Sequence, residues 1–152
     1  MKMLLPATLL ALVCAADTLA APAPKAFELH LVVDCAAGAK PVAYLHQGLR
    51  EDLCLSPDII LSRADIKAAE LVHTGYGSEA ARIFISGDAV DRLTTATSAN
   101  VGKRFAVIYG GHVVFVPVVR EPITSNQLEI DVGATGESVE DFVADLGTGR
   151  TP

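Results

Sequence analysis

From Phe27 to Val33 the chain alternates, with Phe27, Leu29, Leu31 and Val33 set against Glu28 and His30. A two-residue period puts alternate side chains on opposite faces of a strand, so a half-buried strand is predicted there. Short apolar stretches at Val42–His46 and Asp52–Leu55, separated by Gln47-Gly48, predict two more strands, and Ser56-Pro57-Asp58 predicts a turn before the apolar triplet Ile59–Leu61. A strand is predicted at Ala81–Ile85. Ser86-Gly87-Asp88 then signals a helix start, and Val90, Leu93, Thr94 and Thr97 recur at helical spacing over Ala89–Ala99. Gln127–Val132 predicts a strand, Gly133–Gly136 a loop, and Glu137–Leu146 a last helix with Val139, Phe142, Val143 and Leu146 inward. One segment stays open. Ser62 with Asp65 three residues on resembles a capping box that a helix through Val72 could follow, yet Ile66, Ala68 and Glu70 against Lys67, Ala69 and Leu71 read equally as a strand.

The chain is organised around Leu93–Ile123. Asn100 and Gly102 end the predicted helix, Lys103-Arg104 follow, and two β-branched runs, Phe105–Tyr109 and His112–Val116, flank Gly110-Gly111. A two-residue turn matched to strand twist needs positive φ, which glycine supplies without steric cost, so a hairpin is predicted. Pro117 and Pro122 bracket an extended segment whose backbone is poorly suited to a central strand. Strands outnumber helices and the connections are antiparallel, which places the fold in the α+β class, an antiparallel sheet with two main helices packed on it.

Composition changes this picture in three places. A formal net charge of -6 over 152 residues lacks the basic stripe that releases counterions from phosphates, so nucleic acid is excluded as a partner. The first twenty residues read as a signal peptide: Lys2 is a positive start, Met3–Ala16 an apolar run too short to span a membrane, and Thr18 and Ala20 suit cleavage before Ala21. Residues 21–26 then form a linker, 27–146 the folded domain and 147–152 a flexible tail, with the mature chain expected in the periplasm. Export takes Cys14 away with the leader and leaves Cys35 and Cys54 as an even pair in an oxidising compartment, so a disulfide between them is expected.

Candidate chemistry is sparse. His30, His46, His73 and His112 come from separate elements in no paired ligand spacing, no G-x-S-x-G turn is present, and the glycine pairs do not form a phosphate cradle. No cofactor, no metal and no catalytic group is expected. A small secreted metal-binding protein or enzyme using His30, His46 or His112 is the alternative. Lys103-Arg104 has two readings, a solvated helix end that complements the dipole or a charged rim beside the hairpin that helps hold an extended peptide. An exposed sheet edge or the segment Val116–Ile123 could offer such a peptide main-chain hydrogen bonds.

Here the residues resemble a known family. Leu61-Ser62-x-x-Asp65-Ile66-x-x-Ala69, the strand Ala81–Ile85, Leu93-Thr94, then Asn100-Val101-Gly102-Lys103-Arg104-Phe105-Ala106-Val107-Ile108, a glycine hairpin, Val113-Val114, Pro117-Val118-Val119 and Ile123 look like the head of the first periplasmic domain of SecD, the protein-export subunit that acts with SecF. The resemblance covers roughly 53–146. It implies an α+β head, a strand rather than a helix at Asp65–Val72, and contact with polypeptide emerging from the translocon. Three positions depart from the pattern: the small-residue step before the proline is Val114-Phe115-Val116, the Asp-Gly turn is Gly110-Gly111, and a glycine-rich segment is reduced to Thr124-Ser125-Asn126. The expectation is a non-catalytic periplasmic module without a membrane motor that binds unfolded or extended polypeptide through Lys103, Arg104, Phe115, Val116, Pro117, Val118 and Ile123. An accessory subunit that docks on a membrane-embedded export component through Val113–Val118 is a further alternative.

Overall fold

The computed structural model describes residues 23–36 and 40–147; the predicted leader and the tail after Gly147 lie outside them. Nine strands and two helices follow in the order β1 (Phe27–Val33), β2 (Val42–His46), β3 (Leu49–Leu55), β4 (Leu61–Ser62), β5 (Ile66–His73), β6 (Glu79–Ile85), α1 (Gly87–Ser98), β7 (Phe105–Tyr109), β8 (His112–Phe115), β9 (Gln127–Ile130) and α2 (Val139–Gly147). The architecture is α+β as expected, with the strands divided between two sheets. The larger runs β3-β2-β8-β7-β1-β4 and the smaller β5-β6-β9. Because the end of β1 also pairs with β3, at Val32↔Leu55 and Val33↔Cys54, strands β1, β7, β8, β2 and β3 close into a ring. Pairings are antiparallel except β2 with β8, which meet in parallel at Tyr44↔Val113.

Two tight hairpins shape the ring. Gly110 and Gly111 take φ 58° and 85°, and Gln47 and Gly48 take 49° and 78°, the positive pair that a twist-matched two-residue turn requires. The second turn begins β3 at Leu49, three residues before the apolar pattern placed it, because Arg50, Glu51 and Asp52 are exposed and carry no hydrophobic signal.

Alternation on β7 divides the interior. Phe105, Val107 and Tyr109 face the main core, which fills the space between the two sheets and both helices with Leu61, Ile83, Leu93 and Phe142. Ala106 faces the other way, into a small ring core with Leu53 and Val113. α2 packs its Phe142 ring 4.7 Å from that of Tyr109 and 6.4 Å from that of Phe27. The buried Tyr109 hydroxyl donates to Asp145 at 2.9 Å, and Arg63 donates to the same carboxylate at 2.8 Å and to the Asp145 carbonyl. Burial and then the Asp145 carboxylate push the Tyr109 phenol well above its ordinary value, so it stays a donor.

The ambiguous segment resolves as one turn of 3-10 helix at Arg63–Asp65 followed by strand β5. Asp65 accepts from the Ser62 N–H at 2.8 Å and hydroxyl at 3.2 Å and from Arg92 at 2.5 Å, so the capping pair is real but the helix it caps is three residues long. Strand wins beyond it because Ile66 and Ala69 pack on the main core while β6 supplies a ladder down to His73↔Glu79. Burial alone would raise the Asp65 carboxyl, but the Ser62 and Arg92 hydrogen bonds together hold it below the ordinary aspartate value. The folded state then prefers the ionised form, so this contribution is complete above the unfolded pKa and is lost as pH falls through the folded one. Asp65→Asn is expected to be less stable than the parent at neutral pH, with the gap closing below about pH 4. Urea unfolding of both chains from neutral to strongly acid pH checks this, and an undiminished gap in acid contradicts it.

Candidate functional site

A register shift creates the most prominent apolar opening. On β7 and β8 the partners step from Ile108↔Val113 to Val107↔Phe115, leaving Val114 as an extra residue. A bulge of this kind reverses the facing of everything after it. Phe115, Pro117 and Val119 therefore turn to the same side as Val107, while Val116 turns into the ring core and Val118 stays 47% exposed on the far face. With Phe27, Leu93, Phe105, Ile123, Leu128 and Ile130 they line a cleft of about 350 Å³ between the larger sheet, α1 and β9. Its chemistry is dispersion and desolvation, with Gln127 and Glu129 at one margin.

The proline-bracketed segment is a paired strand in all but length. Phe105 donates to the Pro117 carbonyl at 3.0 Å, Val119 to that of Lys103 at 2.9 Å, and Gly102 to that of Val119 at 2.7 Å. Pro117 fits because a proline carbonyl still accepts where its nitrogen is not asked to donate. Thr97, fully buried at the end of α1, accepts from the Ile123 N–H at 2.9 Å, and Thr94 donates to the Ile123 carbonyl at 2.8 Å. These bonds hold Ile123 at the cleft.

Lys103 and Arg104 lie elsewhere, at the open mouth of the ring. This groove, about 650 Å³, is lined by Val33, Asp34, Cys35, Glu51, Asp52, Cys54, Lys103 and Arg104. Arg104 shares the facing of Ala106 and makes a two-pronged pair with Glu51, at 2.7 and 3.1 Å. The Arg104 hydrogen bond holds the Glu51 carboxyl below its ordinary value, and Glu51 raises Arg104 in return. Lys103 donates to Asn100 at 3.0 Å. The basic pair is thus committed to its own neighbours and does not border the apolar cleft. Cys35 and Cys54 meet at this mouth with Cα atoms 5.2 Å apart, a separation that a disulfide spans.

The histidines remain apart. Buried His30 has Nδ1 2.9 Å from the Ser56 carbonyl and Nε2 3.0 Å from Glu28, His46 stacks on Tyr44 at 5.7 Å, and His73 and His112 are exposed. Among the described residues no group of three His, Cys, Asp or Glu side chains converges as a metal site. Within Val113–Val118, Val113 and Val114 are 4% and 3% exposed, Phe115, Val116 and Pro117 are half-buried and Val118 is exposed, so only the part after Val114 reaches the surface. Among the described residues no helix is long and apolar enough to cross a membrane.

Of the seven candidate binding residues the fold brings together Phe115, Pro117 and Ile123. Sequence reasoning missed Phe27, Leu128 and Ile130, whose only signal is the apolar face of strands predicted for the core, whereas Val119 lies in the candidate segment Val116–Ile123.

Comparison with known proteins places this geometry. The profile of the family described as SecDF, P1 head subdomain, matches residues 41–152. The protein translocase subunit SecDF of Thermus thermophilus is 27% identical over 139 residues, 82% of this chain and 19% of that one. The protein translocase subunit SecD of Desulfurispirillum indicum is 34% identical over 104 residues, 68% of this chain and 19% of that one. The chain therefore spans about a fifth of the length of these curated relatives. Among solved structures, SecDF in its super-membrane-facing form superposes with TM-score 0.65 at 24% identity, covering 85% of this chain and 19% of that one. A structure of SecDF described as a membrane component that enhances protein export gives 0.61 at 24%, covering 82% of this chain and 60% of that one.

Proposed function

The chain belongs to the SecDF P1 head subdomain family, and from that premise we propose that it is a non-catalytic periplasmic module of protein export that contacts unfolded or extended polypeptide through the cleft between Phe115–Ile123 and β9. The observation that carries this reading is the cleft itself. Phe115, Pro117, Val119 and Ile123 surround an open apolar space, and Phe115 is half-buried there whereas Phe27, Phe105, Tyr109 and Phe142 are almost fully buried in the core. An apolar opening of this kind rewards occupation by side chains that an unfolded chain exposes and a folded one hides. The ring, the glycine hairpin and the Thr97 bonds act as a rigid mount, which keeps the entropy lost on binding low.

Titration of the isotopically labelled protein with a reduced, unfolded polypeptide is expected to shift the backbone resonances of Phe115, Val119 and Ile123. Phe115→Ser is expected to weaken the interaction about ten-fold, the loss typical of an anchoring aromatic. Absence of any shift with several such polypeptides overturns the reading.

A further inference from the structure

Three charges cross the outer face of the smaller sheet in a row. Arg82 on β6 donates to Glu70 on β5 at 3.1 Å and to Glu129 on β9 at 2.7 Å, and the register makes them direct cross-strand neighbours, Glu70↔Arg82 and Arg82↔Glu129. The row runs acid, base, acid and stops at β9, which among the described residues pairs with β6 alone. On the other face of the same strand Leu128 and Ile130 reach the core and the cleft.

The backbone of β9 is also open on that side. Ile85 donates to the Asn126 carbonyl at 2.9 Å, which marks these residues as a hydrogen-bonded pair. Alternation in an antiparallel ladder then makes Ile83 with Leu128 and Ala81 with Ile130 the next such pairs, and turns the peptide groups of Gln127 and Glu129 away from β6. Ser125 Oγ accepts from the Gln127 N–H at 3.0 Å, as an outward N–H requires. The N–H and C=O of Glu129 face the side where a fourth strand would lie.

We propose that β9 is a docking edge for an extended polypeptide segment that carries a lysine or arginine in register with Glu129 and apolar residues on either side of it. This rests on the polypeptide reading above and names the class of segment the cleft takes. Side chains of an added strand alternate between faces, so the residue opposite Glu129 joins the charged row while its neighbours enter the cleft beside Leu128 and Ile130. A basic residue there extends the row to four charges of alternating sign, whereas an acidic one confronts Glu129 directly. A second copy of this chain joined through its own β9 would bring two Glu129 carboxylates to one edge, so self-pairing is disfavoured.

The test uses the whole mature protein and three synthetic peptides of about ten residues with alternating apolar and polar positions, the length of an ordinary strand. One carries a central lysine, the second a glutamate in its place, and the third is the lysine peptide with its edge-facing amides N-methylated, which removes donors and leaves side chains unchanged. The lysine peptide is expected to bind and to shift the resonances of Gln127–Ile130, with the other two each about ten-fold weaker, as lost charge pairing or lost strand hydrogen bonds imply. Glu129→Lys is expected to invert the preference between lysine and glutamate peptides. Glu129→Gln, which leaves Arg82 facing an uncharged side chain, is expected to abolish that preference while the penalty for N-methylation persists. If all three peptides bind within two-fold of one another, strand addition is wrong while the cleft reading stands. If none binds and unfolded proteins also fail to shift Phe115 and Ile123, both fall together.

Discussion

Phe142→Ala is expected to lower the unfolding free energy by about 4 kcal/mol, the upper range for truncating a large side chain in a core that cannot collapse around the gap. Phe142 is fully buried at the centre of the inward face of α2, edge-on to Tyr109 and tilted against Phe27. A helix of nine residues has little stability of its own, so what keeps α2 helical is this anchor together with Val139 and Leu146. Without it the polar bonds from Tyr109 and Arg63 to Asp145 lose the helix that presents their acceptor. Urea unfolding measures the loss, and Phe142→Leu, which keeps most of the volume, is expected to cost about 1.5 kcal/mol or less. A loss below that value for the alanine variant would mean that α2 is not docked through Phe142.

The second large effect is expected at Cys35 and Cys54. Unfolding the chain from Ala21 onward without reductant is expected to expose no titratable thiol, and reduction is expected to remove about 3 kcal/mol of stability, the entropic constraint on a loop of this length. The two cysteines lie beside the seam where β1 and β3 close the ring, a joint of two register pairs beneath which Leu53, Ala106 and Val113 are buried. Reduction should therefore be felt first in the β2–β3 hairpin and at the Glu51–Arg104 pair across the mouth, with the main core following. Amide exchange with and without reductant locates the change. Two titratable thiols in the unreduced protein, or an unfolding midpoint that reduction does not move, would exclude the bond.

The local elements were legible wherever one residue type decided the matter. Gly110-Gly111 predicts its hairpin because few other residues adopt both positive φ values, and the α1 and α2 faces follow from apolar spacing. Ser62–Asp65 shows the limit. The capping pair forms as read, yet Ile66–His73 is strand, because partners in β6 and the main core outweigh a local helix signal. The Lys103-Arg104 pair, read as a possible rim for a peptide, is instead bound to Asn100 and Glu51, the latter fifty-three residues away in sequence.

The candidate site divides along the same line. By itself the sequence determined that the chain is α+β, that strands flank a glycine turn, and that Phe115, Pro117 and Ile123 belong to an apolar stretch around Pro117 and Pro122 after the hairpin. Those properties depend on turn sterics, periodicity and composition, which act over a few residues. Only the tertiary structure decided that Val114 bulges, so that Phe115 opens onto a cleft and Val116 closes into the ring. It alone set Leu128 and Ile130 across from them and ended the Glu70–Arg82–Glu129 row at an open edge. A bulge and an edge are relations between strands distant in sequence, and the hydrogen bonds that create them have no counterpart in the pattern of any one strand.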